Sequence, residues 1–474
     1  MSDLCTKAIT QLAELIRSRK ISPVEVFQAY LERVDQLNPK LNAIVTLAPD
    51  AIERAREAEA AITRGDALGP LHGVPLTIKD TIETAGLRTT SGSAMRAEFV
   101  PTRDAPAVAR LKAAGAIILG KSNTAEMAMD YTTDNPVFAP TVNPYDPSLT
   151  TGGSSGGEAA AIATCLSPGG IGSDLAGSVR IPAHFCGIVG LTPTVGRIPG
   201  EGQFPPSTGP YSLGAVIGPM ARSVSDLRLM FNVLSGIDTD GLSAEATVKS
   251  LANRRASLVG SRVACYTDDG VASVSEETRK TVESAARALS DAGLIVEQTR
   301  PPAVEYGHDF WLKLFSRASV VQLRNVYAGN EEKGGEFVRW RLATADDTPA
   351  PAIDDYINSW LERDRLRATL VEWMEHTPLF IAPVGATSAY KHGTLKVTVG
   401  DRTMSTFRAF SYSQTCNTFD LPAVVVPAGR SMEGLPIGVQ IIGRPFAEEM
   451  VLTAAAIIEE ALGGWQMPPA FCIT

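Results

Sequence analysis

Residues 152–193 read GGSSGGEAAAIATCLSPGGIGSDLAGSVRIPAHFCGIVGLTP, and this stretch is the most informative part of the chain about its fold. Glu158–Leu166 predicts a helix of small residues, which separates two glycine-flanked serines, Ser154 and Ser178. Small side chains allow neighbouring backbones to approach closely, so we expect this helix to be buried. A flexible linker would not contain a helix of small residues between two glycine-flanked serines. We therefore predict that residues 152–193 lie in the protein core.

Outside this stretch, short apolar runs alternate with helical patterns. The predicted strands are Val74–Lys79, Ile117–Leu119, Arg262–Tyr266, Leu294–Val296, Leu379–Ile381, Ala423–Val426 and Ile437–Ile442. The predicted helices include one after a capping box at Ser22–Glu25, and others at about Ala105–Ala114, Glu276–Asp291, Ile353–His376 and Ala447–Ala461. This alternation predicts an α/β fold with helices on both faces of a sheet. Without a repeat or a low-complexity linker, we expect a single large domain with a surface loop at 197–213.

Composition and charge exclude several classes of protein. The 474 residues include 43 Lys and Arg against 52 Asp and Glu, a net charge of −9 that argues against binding to nucleic acid or to an anionic membrane. Apolar runs such as Ala423–Val426 are far shorter than the ~20 residues that span a bilayer. Charged residues near the start, such as Asp3 and Lys7, leave no signal-peptide core.

Cysteine and histidine usage argues against a disulfide framework and a metal site. The six cysteines are scattered without C-x-x-C spacing, which predicts buried free thiols in a reducing cytoplasm. The five histidines form no H-E-x-x-H motif and no ligand cluster with cysteine. We therefore expect a cytoplasmic protein that needs neither a metal nor a cofactor.

Two glycine motifs match known patterns formally. Gly115–Ser122 fits the phosphate-binding pattern G-x-x-x-x-G-K-[ST], but its central residues Ile117–Leu119 favour a strand over a flexible cradle. Gly152–Gly156 fits the G-x-S-x-G nucleophile elbow, which requires an apolar strand before the serine. The preceding residues, Asn143–Thr151, contain two prolines and have little β character. Neither motif is favoured, although Ser154 as an elbow nucleophile stays an alternative.

The whole of residues 152–193 resembles the amidase signature family, whose members hydrolyse amides with a Ser-cisSer-Lys triad. The resemblance continues in LHGVPLTIKD at residues 71–80, GKSN at 120–123 and GLPIGVQ at 434–440. It implies one domain, residues 1–474, around a central mixed sheet. Within it, the resemblance implies an N-terminal helical segment at 1–65, a signature core at about 66–235, and a C-terminal α/β half at about 236–474 that contributes to the substrate pocket.

The resemblance also implies the catalytic residues. Ser178 is the nucleophile that forms an acyl-enzyme, and Ser154 bridges between Ser178 and Lys79. A free lysine has a pKa of about 10.4, so Lys79 can accept a proton at neutral pH only if its pKa is lowered. The apolar strand that leads to Lys79 predicts the dry setting this requires. A Ser-His-Asp triad using one of the histidines stays the rival mechanism.

An oxyanion formed during amide hydrolysis needs hydrogen-bond donors. The resemblance assigns this role to four backbone N–H groups, those of Leu175, Ala176, Gly177 and Ser178. We expect Asp174 to order the glycine-rich loop and Arg180 to pair with a carboxylate inside the protein.

The expected substrate is a small-molecule amide, and the sequence does not specify which one. The resemblance places Met127, Met129, Tyr131 and Gly153 at the substrate, and methionine and tyrosine suit an apolar or aromatic acyl group. A stand-alone amidase with a side activity on esters is the preferred interpretation, and relatives of this kind allow a homodimer. The alternative is the amidase subunit of a glutamine-dependent tRNA amidotransferase. Residues 192–198 fit that subunit less well, because it usually has an aromatic residue before Gly196. A non-catalytic relative is disfavoured because all three triad residues are present.

Overall fold

Strands and helices alternate along the chain, as the sequence predicts. A computed structural model describes residues 3–237, 253–347 and 350–471. The strands of the central sheet are β1 Ile44–Leu47, β2 Pro75–Lys79, β3 Ile117–Ser122, β4 Gly169–Asp174, β5 Val189–Thr192, β6 Val216–Ala221, β7 Arg262–Cys265, β8 Ile295–Gln298, β9 Leu379–Pro383, β12 Ala423–Arg430 and β13 Pro436–Gly443. Two further strands, β10 Lys396–Val399 and β11 Arg402–Ser405, form a separate antiparallel hairpin.

Helices cover the sheet. They are α1 Ile9–Arg17, α2 Pro23–Leu41, α3 Ala51–Arg64, α4 Pro106–Ala113, α5 Gly156–Ala163, α6 Arg180–Cys186, α7 Val224–Ser235, α8 Glu276–Asp291, α9 Gly307–Trp311, α10 Arg317–Tyr327, α11 Glu336–Ala343, α12 Ile353–Trp373, α13 Thr406–Ala409, α14 Ser411–Phe419 and α15 Glu448–Leu462. The capping box before α2 is present, because Val24 N–H donates to Ser22 Oγ at 3.0 Å and Ser22 N–H donates to Glu25 Oε2 at 2.8 Å. These contacts confirm the predicted helix start.

The sheet is mixed, which confirms the predicted fold class. In the described part of the chain its eleven strands follow the order β1-β3-β2-β4-β6-β5-β12-β13-β9-β7-β8. β2 pairs in parallel with β3 and β4, whereas β4 pairs antiparallel with β6. β12 alternates between the faces, since Val424 and Val426 belong to one apolar cluster and Ala423 and Val425 to another. This two-residue period places one core on each side of a single sheet.

The structure contains strands that the sequence patterns did not predict. β4 is glycine-rich and lacks the β-branched residues that mark a strand. It is a strand because it lies between β2 and β6, where it is buried on both sides. β1, β5 and β6 were also missed, and β1 brings the N-terminal segment into the same sheet by pairing with β3.

One predicted helix and one predicted loop differ in detail from the structure. The helix predicted at Glu158–Leu166 is α5, Gly156–Ala163, and it is followed by Cys165 in a left-handed backbone conformation with φ of 59°. The loop at 197–213 is not wholly a surface feature, because Ile198 and Tyr211 are buried.

The GKS segment at residues 120–122 is part of β3. Lys121 donates to the Ile82 carbonyl and to Thr84 Oγ1, which rules out a phosphate cradle there.

The close approach of α5 to the sheet depends on Gly170. A Cβ added to Gly170 would overlap the Thr77 carbonyl of β2 and the carboxylate of Glu158 on α5. We predict that Gly170→Ala lowers the free energy of unfolding by about 1–3 kcal/mol, because overpacking displaces both neighbours. Thermal denaturation measures this, with Gly200→Ala as the control. The nearest atom to a Cβ at Gly200 is 3.7 Å away, so an equal loss in the two variants would contradict the prediction.

Candidate active site

Lys79, the last residue of β2, is fully buried. Leu76 and Ile78 belong to the core on one face of the sheet, so alternation turns Lys79 toward the opposite face. There its Nζ atom donates to Ser154 Oγ at 2.6 Å and to Ser173 Oγ at 3.0 Å. Burial lowers the pKa of Lys79 to about 7, although Asp174 and Glu158 pull it upward. Near neutral pH the uncharged amine is therefore accessible.

Ser154 lies two residues before the start of α5, and the Gly153–Ser154 peptide bond is cis. Gly153 packs against the segment 130–132, where an added Cβ would lie 2.5 Å from the Asp130 carbonyl and 2.6 Å from the Thr132 carbonyl. A side chain at position 153 would therefore collide with these carbonyls and shift the backbone next to Ser154. This placement makes Gly153 a packing residue, and its contact with substrate stays a prediction.

Ser178 lies between β4 and α6, with 6% of its surface exposed. The N–H of Ser155 donates to the Ser178 carbonyl at 3.2 Å, which joins the two serine-bearing segments. In the described part of the chain the Ser178 hydroxyl has no hydrogen-bond partner. The structure thus brings Lys79 and Ser154 into direct contact and holds Ser178 beside them through the backbone, whereas the hydroxyl contact between the two serines stays a prediction.

Asp174 and Arg180 form a fully buried ion pair that holds the loop around Ser178. Arg180 Nη2 donates to Asp174 Oδ1 at 3.0 Å, and the Gly177 and Val179 N–H groups donate to the same carboxylate at 2.8 and 3.0 Å. Burial acts to raise the pKa of Asp174, but Arg180 and these N–H groups outweigh it and hold the pKa at about 2. The expectations that Asp174 orders the loop and that Arg180 pairs inside the protein are confirmed.

The Gly177 N–H differs from its predicted role. It donates to Asp174, so it is not available to an oxyanion in this geometry. The N–H groups of Leu175, Ala176 and Ser178 have no partner among the described residues, so three donors of the predicted cage stay available.

The three predicted pocket side chains lie in two environments. Met127 is buried in a small apolar cluster with Leu323, Tyr327 and Val338, and Met129 packs against that cluster. Tyr131 instead stacks on Phe407, with ring centroids 5.2 Å apart. Its hydroxyl donates to the Ala176 carbonyl at 2.6 Å. Contact of any of them with substrate stays a prediction.

The two buried histidines, His184 and His308, have hydrogen-bond partners other than the two candidate serines. His184 Nδ1 accepts from the Gly438 N–H at 2.7 Å, and its Nε2 lies 3.1 Å from the Thr387 carbonyl. Burial lowers the pKa of His184 to about 4. His308 Nδ1 lies 2.5 Å from Gln414 Oε1. Among the described residues no histidine bonds to Ser154 or Ser178, so the Ser-His-Asp mechanism has no support.

Glu158, on α5, is a buried carboxylic acid beside Lys79. Thr77 Oγ1 donates to its Oε1 at 2.5 Å, and Ser122 Oγ donates to its Oε2 at 2.6 Å. Burial raises its pKa to about 7. A partly protonated Glu158 exerts less pull on the Lys79 amine than a full negative charge would, and this helps Lys79 to lose its proton.

Sequence reasoning missed two groups of residues at this site. Ser173, the second partner of Lys79, lies on the glycine-rich strand β4, which the sequence patterns did not predict, so no local signal indicated it. Trp311, Gln414 and Asn417 come from the C-terminal half, and their sequences carry no local signal that they reach the loop at 174–178. Over residues 3–237, 253–347 and 350–471 there is no His, Cys, Asp and Glu cluster that could hold a metal ion. The same residues contain no helix with the length and hydropathy to cross a bilayer.

Comparison with known proteins identifies the family. The profile of the family described as Amidase matches residues 25–452, nearly the whole chain. The chain belongs to the amidase signature family. Its members include solved amide hydrolases with the same architecture, so this chain is an amidase signature hydrolase by fold and by sequence.

Among the similar proteins is the A subunit of the glutamyl-tRNA(Gln) amidotransferase of Moorella thermoacetica, which is 34% identical over 95% of this chain and 96% of its own length. A solved 6-aminohexanoate cyclic dimer hydrolase is 30% identical with a TM-score of 0.84, covering 99% of this chain and all of that one. A bacterial aryl acylamidase of the amidase signature family is 27% identical with a TM-score of 0.84, covering 97% of each chain.

The buried ion pair of Asp174 and Arg180 should contribute to the stability of this amidase signature protein. Arg180→Met leaves the Asp174 carboxylate buried without its counter-ion, and we expect a loss of about 3–5 kcal/mol in the free energy of unfolding. Arg365→Met removes an exposed pair with Glu362 and should leave the free energy of unfolding nearly unchanged, because water screens the pair. Thermal denaturation at pH 7 compares the two. Similar melting temperatures for both variants would show that the ion pair does not hold the loop.

Proposed function

We propose that this protein hydrolyses a carboxylic acid amide to a carboxylate and ammonia or an amine, through an acyl-enzyme on Ser178. The observation that carries the proposal is the fully buried Lys79 amine, 2.6 Å from Ser154 Oγ, with its pKa lowered to about 7. A lysine in this state can accept a proton at neutral pH, which an exposed lysine cannot.

In the first half-reaction, uncharged Lys79 accepts the proton of Ser154 as Ser154 accepts that of Ser178. Ser178 Oγ then attacks the amide carbon, and the carbonyl oxygen becomes an oxyanion. Collapse of this intermediate breaks the C–N bond, and the proton held by Lys79 returns through Ser154 to the departing nitrogen. In the second half-reaction, water repeats these steps on the acyl-enzyme and releases the carboxylate.

The oxyanion is stabilised by backbone donors near Ser178. The N–H groups of Leu175, Ala176 and Ser178 have no partner among the described residues, whereas that of Gly177 is bonded to Asp174. We therefore restrict the cage to three donors. Each such donor typically contributes ~10²–10³ in rate.

The lowered pKa of Lys79 predicts how the reactivity of Ser178 changes with pH. Below pH 7 the amine is protonated and cannot accept a proton, so the rate at which a fluorophosphonate labels Ser178 should fall about tenfold per pH unit, and it should level off above pH 7. Lys79→Met should lower the rate by ~10²–10⁴ and remove this dependence. Lys280→Met, at an exposed surface lysine, is the control and should match the wild type. An unchanged pH profile in Lys79→Met would refute the assignment.

The labelled residue distinguishes Ser178 from the elbow alternative. Mass mapping after fluorophosphonate treatment should place the adduct on Ser178, and Ser178→Ala should abolish labelling. An adduct on Ser154 would instead make Ser154 the nucleophile and end the proposed relay.

Two candidate specificities follow from this chemistry. The aromatic pair Tyr131 and Phe407 suits a stand-alone amidase with an apolar or aromatic substrate. The curated relatives favour the second candidate, the glutamine-hydrolysing subunit of a tRNA amidotransferase, because they share 31–34% identity over nearly the entire chain and bear that name. This similarity outweighs the local departure at residues 192–198, so glutamine is the first substrate to test.

A direct assay separates these two candidates. If the relatives' activity carries over, the chain should release ammonia from L-glutamine, and the remaining subunits of a related amidotransferase should raise the rate. If it is a stand-alone amidase, the purified chain should release p-nitroaniline from p-nitroacetanilide and leave glutamine intact. Ser178→Ala is the control for both reactions, because it removes the proposed nucleophile.

A further inference from the structure

Four successive backbone carbonyls before Ser178 are each held by a hydrogen-bond donor. Asn417 Nδ2 donates to the Asp174 carbonyl at 3.3 Å and Trp311 Nε1 to that of Leu175 at 2.7 Å. The next two acceptors are the Ala176 carbonyl, held by the Tyr131 hydroxyl at 2.6 Å, and the Gly177 carbonyl, held by the Ile181 N–H at 2.7 Å.

Each carbonyl fixes the direction of the following N–H group. A trans peptide unit is planar, and its C=O and N–H bonds point in opposite directions. Holding the Leu175 carbonyl therefore aims the Ala176 N–H, and holding the Asp174 and Gly177 carbonyls aims the Leu175 and Ser178 N–H groups. These three N–H groups are the ones without a partner among the described residues. The donors outside the loop thus set the direction of the whole cage.

Trp311 is well suited to this role. It lies at the end of α9, 8% exposed, with its ring centroid 4.8 Å from that of Phe407 and 5.8 Å from that of Phe315. The indole N–H is its one polar group and cannot act as an acceptor. Packing fixes the ring, so the direction of the N–H, and with it the Leu175 carbonyl, is fixed as well.

Tyr131 holds its carbonyl through a relay of side chains. Gln414 Nε2 donates to the Tyr131 hydroxyl oxygen at 3.0 Å, and Gln414 Oε1 is bonded to His308. Because Gln414 fills the acceptor position, the hydroxyl proton of Tyr131 is directed to the Ala176 carbonyl. The N–H of the same peptide unit, from Gly177, is bonded to Asp174, so this unit is held at both ends.

We propose that Trp311 is a positioning residue that aims the oxyanion-binding Ala176 N–H, and that Tyr131 is a positioning residue that fixes the adjoining Ala176–Gly177 peptide unit, so that neither is merely a wall of the substrate pocket. The proposal rests on the proposed acyl-enzyme at Ser178. It gives the C-terminal half of the chain a direct part in the rate of the reaction, since Trp311 and Gln414 both come from that half. Tyr131, predicted to bind substrate, acts here through the backbone of Ala176.

Trp311→Phe and Tyr131→Phe test the proposal, because each removes the donor and keeps an aromatic ring. On p-nitrophenyl acetate we expect kcat to fall about tenfold in each, with KM unchanged within about twofold, since a misdirected donor loses part of the ~10²–10³ that one donor supplies. The inhibition constant of phenylboronic acid should rise by a similar factor, because its serine adduct places a charged oxygen in the cage. Trp340→Phe and Tyr306→Phe, at exposed positions, are the matched controls.

The outcomes separate this inference from the proposed function. A raised KM with unchanged kcat and unchanged boronate inhibition would make the two residues pocket walls and overturn the inference. Equal rates in the variants and the wild type would overturn it too. If phenylmethylsulfonyl fluoride fails to modify Ser178 in the wild-type protein, the proposed function fails and the inference with it. Melting temperatures equal to those of the controls exclude a loss of folded protein as the cause.

Discussion

A buried amine surrounded by hydroxyl groups governs the arrangement of this site. Burying a lysine is costly in its charged form, so the fold favours the uncharged form and brings the pKa of Lys79 to about 7. The amine donates hydrogen bonds to Ser154 and Ser173, and the nearby carboxylate of Glu158 is itself close to neutral. The close packing of α5 on β2 and β4 creates this dry space, and the glycines of β4 permit that packing.

A second constraint keeps the loop at 174–178 in one conformation. The Asp174 carboxylate, paired with Arg180, accepts hydrogen bonds from N–H groups of the loop, while Trp311, Tyr131 and Asn417 donate to its carbonyls. The result is a set of N–H groups beside Ser178 that no other described residue occupies. Such a preorganised arrangement needs no rearrangement when charge develops, which is the condition for strong electrostatic stabilisation. The proposed proton relay and the proposed cage therefore depend on different parts of the same domain.

Much of the fold was predictable from patterns that act locally. The capping box of α2, the apolar run of β2 and the amphipathic pattern of α8 each depend on neighbours in sequence, and each was predicted close to its observed position. β4 was missed for the opposite reason. Its glycines have no intrinsic preference for a strand, and only the partners β2 and β6 make it one. The bond from the Gly177 N–H to Asp174 was also missed, because the reach of the Asp174 side chain is a tertiary contact.

The amino-acid sequence alone indicated the α/β class, the family and the three residues that we propose for catalysis, because the glycine and serine spacing in residues 152–193 is specific and Lys79 ends an apolar strand. Tertiary packing sets which hydroxyls meet the Lys79 amine, which N–H group the Asp174 carboxylate accepts from, and which C-terminal side chains hold the loop. Trp311 lies 136 positions from Leu175, and Gln414 lies 283 from Tyr131. Contacts over such separations depend on how the whole sheet is assembled, so no local pattern encodes them.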